Sequence, residues 1–266
     1  MSFEILKERI RSCKTPLALH ISPDAALLPQ GVVNNFRSLF GDVPQTTCEA
    51  MRMYCCALLD AAEGELPAVV IDTAPFLKLG FSGLEVLTHL LTVARNKGLY
   101  TILNAGSTDA QPWFDGFLPD AVTVTPYTGM DAMRPASEAQ DIFVMLKSAN
   151  PSASDVQNLM AGDRKLSAAV AELTTRAQKG AQGSVGALIG SDSPLDIRDL
   201  RRRMGKTFFL LTDCTVETAS CAANEYGADI LLTMRVEQHT DGDFRAAARD
   251  AVIAAKAETK KYITIV

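Results

Sequence analysis

The stretch AVVIDTAPFLKLGFSGLEVLTHLLTVARNKGLYTILN (68–104) holds one complete strand, helix, strand unit. Its ends, AVVID (68–72) and LYTILN (99–104), are short runs of β-branched and aliphatic residues. Between them Leu84, Leu87, Leu90, Leu91 and Ala94 recur at the spacing that lines one face of a helix. The same order repeats along the chain. Further strands are expected at LALHI (17–21), AVTV (121–124), IFVML (142–146), SVGALI (184–189), TFFLL (207–211) and DILLT (229–233), and a further helix carries Met51, Tyr54, Cys55, Leu58 and Leu59. Strands that are apolar on both faces require cover on both faces, which a parallel sheet wrapped in helices supplies. Eight such units in about 250 residues describe a (β/α)8 TIM barrel. The expectation is therefore an α/β chain forming one barrel domain over 1–266, with a short helix at 2–13 before the first strand.

A doubly wound sheet is the structural alternative, but it would carry a G-x-G-x-x-G after an early strand. GSVGALIG (183–190) has the wrong spacing and lies inside a strand. Local signals agree with the barrel register. Ser193 and Pro194 supply a cap and a first helical residue for LDIRDLRRR. Ser154 or Asp155 is expected to cap a helix carrying Val156, Leu159 and Met160. Only a turn or two of helix fits in 105–120.

The chain has 266 residues, 47% hydrophobic and 21% charged, which excludes a disordered tail. Its net charge of -5 repels polyanions, so nucleic acid is not an expected partner. MSFEILKERIRSCK lacks the apolar run of a secretory signal, and no stretch approaches a membrane span. A soluble, cytoplasmic protein without a membrane partner is expected. The six cysteines are too sparse for a disulfide scaffold, and Cys55 and Cys56 are adjacent rather than in metal or redox spacing. They read as reduced side chains.

In a barrel, chemistry belongs at the C-terminal ends of the strands. Those ends carry Ser22, Asp72, Asn104 to Asp109, Thr125 to Tyr127, Lys147 to Asn150, Ser191, Asp192, Thr212, Asp213 and Arg235. Asp and Ser at such positions also serve as helix caps. Arg235, just past the eighth strand, sits where barrels often bind phosphate, and its planar fork suits that group. His20, His89 and His239 form no metal spacing; His20 reads as a barrel-interior residue and His89 as a helix-surface one. No metal ligand set and no cofactor is expected.

DAVTVTPYTGMDAMRP (120–135), FVMLKSANPSASDVQ (143–157) and GALIGSDSPLDIRDLR (186–201) resemble, in order, three motifs of the longer bacterial orotidine 5'-phosphate decarboxylases. LALHISPDAALLP (17–29) and LPAVVIDTAPFLKLG (66–80) resemble that family's first two strands, so the likeness covers nearly the whole chain. It implies a (β/α)8 barrel, usually a homodimer, that converts orotidine monophosphate to UMP and CO2 in pyrimidine biosynthesis without metal or cofactor. It also implies an array of alternating lysines and aspartates in which one lysine protonates the carbon as CO2 leaves.

Carried over residue by residue, most of that array is missing. The family's Asp-Ala-Lys-Arg-Gly-Asp falls on Asn104, Ala105, Gly106, Ser107, Thr108 and Asp109, so the first aspartate is Asn104 and the proton-donating lysine is Gly106. Asp109, which in the family completes a site across the dimer, is retained. The aspartate after the first strand is Ser22, the second-strand lysine is Val70, and the pyrimidine-contacting serine is Ala149 beside Ser148. The phosphate loop after the seventh strand reads Thr212, Asp213, Cys214 and Thr215, while Arg235 matches the phosphate arginine. Lys78 and Lys97 are the nearest lysines to the missing one, and both lack the motif around them.

The expected function is that of a decarboxylase-like lyase with little or no decarboxylase activity, a pseudoenzyme. A phosphorylated small molecule would meet Arg235, Ser148, Thr125, Ser22 and Thr212. One alternative is a re-purposed sugar-phosphate or nucleotide-phosphate enzyme on the same barrel, in which Asp72, Asp109 and Asp213 could hold a divalent ion. The other is a non-catalytic partner of an active decarboxylase.

Overall fold

The computed structural model describes residues 2–223, 229–236 and 242–265. Eight parallel strands close into a barrel: β1 (Leu17–Ile21), β2 (Ala68–Asp72), β3 (Tyr100–Ser107), β4 (Ala121–Val124), β5 (Asp141–Lys147), β6 (Ser184–Gly190), β7 (Phe209–Thr212) and β8 (Ile230–Met234). Each pairs with its neighbours in sequence, and β8 returns to β1 with Leu17 opposite Leu232 and Leu19 opposite Met234. All eight strands lie where the sequence places them, with ends shifted by up to three residues.

Successive residues on a strand serve two cores, as the period of two requires. Leu19, Val69, Leu103, Val122, Val144, Ile189, Leu211 and Leu232 pack outward against the helices. Ala18, Val70, Ile102, Phe143, Leu188, Leu210 and Leu231 fill the barrel. A methyl group on Gly186 would sit 2.7 Å from the Phe143 ring, so glycine there makes room for that bulky interior side chain. The helix Ser2–Cys13 closes the N-terminal end with Phe3, Leu6 and Ile10, and the Phe3 ring lies 5.0 Å from Phe143 and 4.9 Å from Phe208.

Outside the barrel run the helices Gln30–Phe40, Pro44–Ala62, Gly80–Asn96, Gln111–Phe117, Leu166–Gln178, Pro194–Met204 and Phe244–Thr259. Two segments depart from the sequence reading. Between β4 and β5 only the 3-10 turns Pro126–Thr128 and Asp131–Met133 form, because Pro126, Gly129 and Pro135 interrupt any longer helix. The helix expected to carry Val156, Leu159 and Met160 ends at Gln157 without a side-chain cap, and Met160–Ala161 instead pairs antiparallel with Arg164–Lys165. The Ser193 cap is present, its hydroxyl accepting from the Asp196 amide at 3.3 Å. The described cysteines form no disulfide, and no described helix is long and apolar enough to cross a membrane.

Candidate functional site

At the C-terminal mouth of the barrel lies a cavity of about 390 Å³, whose polar lining includes His20, Asp72, Asn104, Ser148, Thr212 and Arg235. The strand period puts these residues there. His20 is two residues above interior Ala18, Asp72 two above Val70, Asn104 two above Ile102, and Thr212 two above Leu210. They form the topmost inward layer, above a wholly apolar middle layer.

A continuous hydrogen-bonded chain crosses this layer. The Gly106 amide donates to Thr123 Oγ1 at 2.9 Å, Thr123 Oγ1 to Asn104 Oδ1 at 2.9 Å, and Asn104 Nδ2 to Asp72 Oδ1 at 2.7 Å. His20 Nε2 lies 2.9 Å from the same carboxylate oxygen, and Arg235 Nε donates to His20 Nδ1 at 3.1 Å. A guanidinium only donates, so Nδ1 is the acceptor and the imidazole proton sits on Nε2, facing Asp72. Burial acts to raise the Asp72 carboxyl. Hydrogen bonds from His20, Ser22 and Asn104 overcome it and hold the group below the ordinary carboxylate value.

Arg235 also faces Asp213, Nη2 to Oδ1 3.8 Å, with both side chains partly exposed. Asp213 adopts a left-handed backbone conformation at φ 54°. Ser148 is held by Gln157, whose Nε2 donates to the serine Oγ at 3.0 Å. Met145 and Leu188 add apolar surface to the lining.

The structure thus brings Asn104, Ser148, Thr212 and Arg235 together and leaves the other expected site residues apart. Ser22 bonds to Asp72 but lines an adjoining side pocket. Thr125 caps the turn that begins at Pro126 and lines a separate cavity of about 330 Å³. Asp109 is exposed, and its Oδ1 accepts at 3.0 Å from the amide of Gln111, the first residue of the following helix.

Neither Asp109 nor Gly106 lines the mouth cavity. Gly106 takes φ 53° where the pairing of β3 with β4 shifts register, so a bulge occupies the position that resemblance assigns to a lysine. Among the described residues no lysine lines the mouth: Lys147 pairs with Asp196 on the rim, Lys97 with Asp60 and Glu63 on the outer helices, and Lys78 is exposed.

Asp72, Asp109 and Asp213 do not assemble. Among the described residues no group of three His, Cys, Asp or Glu side chains could hold a metal ion. The sequence reading missed His20 and Asp72 as a pair, although counting alternate residues upward from the apolar interior would have placed both in one layer. His89 is exposed, and His239 lies outside the described residues.

No family model matches the chain. It is 30% identical over 187 residues to an orotidine 5'-phosphate decarboxylase of Rhodopirellula baltica, a match covering 61% of this chain and 62% of that one. It is 29% identical over 269 residues to one of Roseiflexus castenholzii, covering 94% and 93%. Among solved structures it resembles the orotidine 5'-monophosphate decarboxylase of Plasmodium berghei with a TM-score of 0.82 at 13% identity, covering 97% of this chain and 99% of that one. The Leishmania donovani OMP decarboxylase gives 0.74 at 24% identity, with coverage of 97% and 99%. At those identities the structural likeness bears on the fold alone. Along most of its length, and on the same closed barrel, this chain is similar to orotidine 5'-phosphate decarboxylases.

Proposed function

We propose that this chain is a family member that does not decarboxylate orotidine monophosphate and that binds a phosphorylated small molecule at the mouth through Arg235. The observation carrying this reading is Gly106. Loss of CO2 leaves a carbanion that must be protonated, and a positioned general acid contributes about 10²–10⁴-fold to such a step. Gly106 has no side chain, its amide is committed to Thr123, and no ammonium group lines the cavity. Asp72 is also the wrong charge to lie beside a substrate carboxylate without a lysine between them.

In this reading the protein is cytoplasmic and homodimeric, and the whole chain forms one domain. The test is CO2 release from orotidine monophosphate by purified protein. Background turnover is expected, and a rate typical of an active decarboxylase, abolished by Asp109→Ala, would overturn the proposal.

A second reading, a re-purposed sugar-phosphate enzyme, is favoured by the His20 and Asp72 pair. A phosphate that draws Arg235 outward would expose the His20 Nδ1 lone pair to the cavity, with Asp72 behind the ring to stabilise the imidazolium. The imidazole would take a proton from a carbon next to a carbonyl, the electron pair would pass to the carbonyl oxygen, and the proton would return. Deuterium exchange into dihydroxyacetone phosphate in D2O, lost in His20→Asn, is the expected result; no exchange by the wild type would exclude it.

A further inference from the structure

A second cavity, of about 260 Å³, adjoins the mouth. His20 and Arg235 line both spaces, so they form the wall between them. Beyond that wall the lining is largely apolar: Pro23 and Leu27 from the loop after β1, Leu58 from the helix Pro44–Ala62, and Val236 after β8. Leu27 is 46% exposed and stands at the edge of this space.

Tyr54 also lines it. The tyrosine is 1% exposed, its ring packs on Phe244 at 5.5 Å, and its buried hydroxyl has no hydrogen-bond partner among the described residues. Buried polar groups are almost always paired, and an orphaned donor is costly enough that its retention needs a reason. Burial pushes the phenol up to about 12, so at neutral pH the hydroxyl keeps its proton and offers it to an acceptor.

We propose that this side cavity binds a single uncharged ring carrying a hydrogen-bond acceptor, the body of a small organic anion whose charged group meets Arg235. The acceptor takes the Tyr54 proton, and the ring lies between Leu27 and Leu58. The volume falls below the range of about 300–1,000 Å³ found for drug-sized ligands, which suits one ring rather than a base with its ribose. The placement of the anion rests on the reading of Arg235 given above. The placement of the ring does not.

Acetophenone, phenyl phosphate and 4-acetylphenyl phosphate separate the two halves when titrated calorimetrically against wild type, Tyr54→Phe and Leu27→Trp. Wild type is expected to bind acetophenone, and to bind 4-acetylphenyl phosphate about tenfold more tightly. Tyr54→Phe should weaken both acetyl compounds by about fivefold while leaving phenyl phosphate unchanged. Leu27→Trp, at the exposed edge, should block all three.

Without ligand, Tyr54→Phe should melt at the wild-type temperature or slightly above, because it deletes an orphan donor and keeps the ring. A lowered melting temperature would reveal a partner for the hydroxyl and overturn the proposal. So would equal binding of the acetyl compounds by wild type and Tyr54→Phe, or a crystal grown with acetophenone that shows water alone in the cavity. Tyr54-dependent binding of acetophenone with no gain from the phosphate would sustain the ring compartment and sink the Arg235 reading.

Discussion

Asp72 Oδ1 lies 2.9 Å from His20 Nε2 and accepts from Asn104 Nδ2 at 2.7 Å, so a single carboxylate oxygen ties three adjacent strands together at the mouth. This arrangement continues through Thr123 to the Gly106 amide on one side and to Arg235 on the other. Its polar groups are largely spent on one another.

Removing the Asp72 carboxylate should therefore cost stability. Asp72→Ala strands the donors of His20, Asn104 and Ser22 in a mostly buried layer, and a loss of about 3 kcal/mol is expected in urea unfolding. The pH dependence has a definite sign. The folded-state pKa of Asp72 is lowered, so its contribution is present above the unfolded value and disappears as pH falls through the folded value. The window lies below about pH 4. Between about pH 4 and pH 2 wild type should lose more stability than Asp72→Asn, and parallel curves for the two would contradict the assignment.

Gly106→Lys should fail to restore decarboxylation. The position is left-handed, with φ 53°, and a β-carbon there would meet nothing closer than Met145 Cε at 3.7 Å. The obstacle is thus the bulged backbone, which costs an L-residue about 1 kcal/mol and aims its side chain off the family geometry. A melting temperature lower by about 2–4 °C with unchanged background turnover is expected. Recovered CO2 release would show that only the ammonium was missing.

Asp213→Asn should strengthen anion binding. Asparagine tolerates the left-handed backbone at this position while removing the charge 3.8 Å from Arg235. Both groups are partly exposed, so the gain is modest: inorganic phosphate should bind about two- to fivefold more tightly by calorimetry. Weaker binding would mean that Asp213 orients Arg235 rather than competing for it.

Phe3→Ala tests the closed end of the barrel. Deleting a ring that touches Phe143 and Phe208 should cost about 3 kcal/mol and lower the melting temperature by roughly 5–10 °C, with phosphate binding at the far mouth unchanged. A drop in phosphate affinity would indicate that the plug also sets the spacing of the mouth residues.

The barrel was legible in the sequence because its determinants are local and periodic. AVVID and LYTILN flank an amphipathic helix whatever the rest of the chain does, and apolar character on both faces of each strand already implies helices on the outside and side chains within. The expectation that the lysines of the resembled family are missing rests on single positions, Gly106 and Val70, and so is also a reading of the sequence alone.

What could not be read was which polar residues meet. His20 lies 52 positions from Asp72 and 215 from Arg235; the first contact follows from the pairing of β1 with β2, and the second exists only because closure brings β8 back against β1. The loop ends escaped for a related reason. Asp109 turned to the Gln111 amide, Thr125 to a turn cap, and Lys147 toward Asp196, each satisfied by a partner close at hand. Sequence periodicity determined the scaffold; the pairing and closure of the strands decided the hydrogen-bond chain at the mouth, because buried polar groups must find partners and only the assembled barrel sets which ones are within reach.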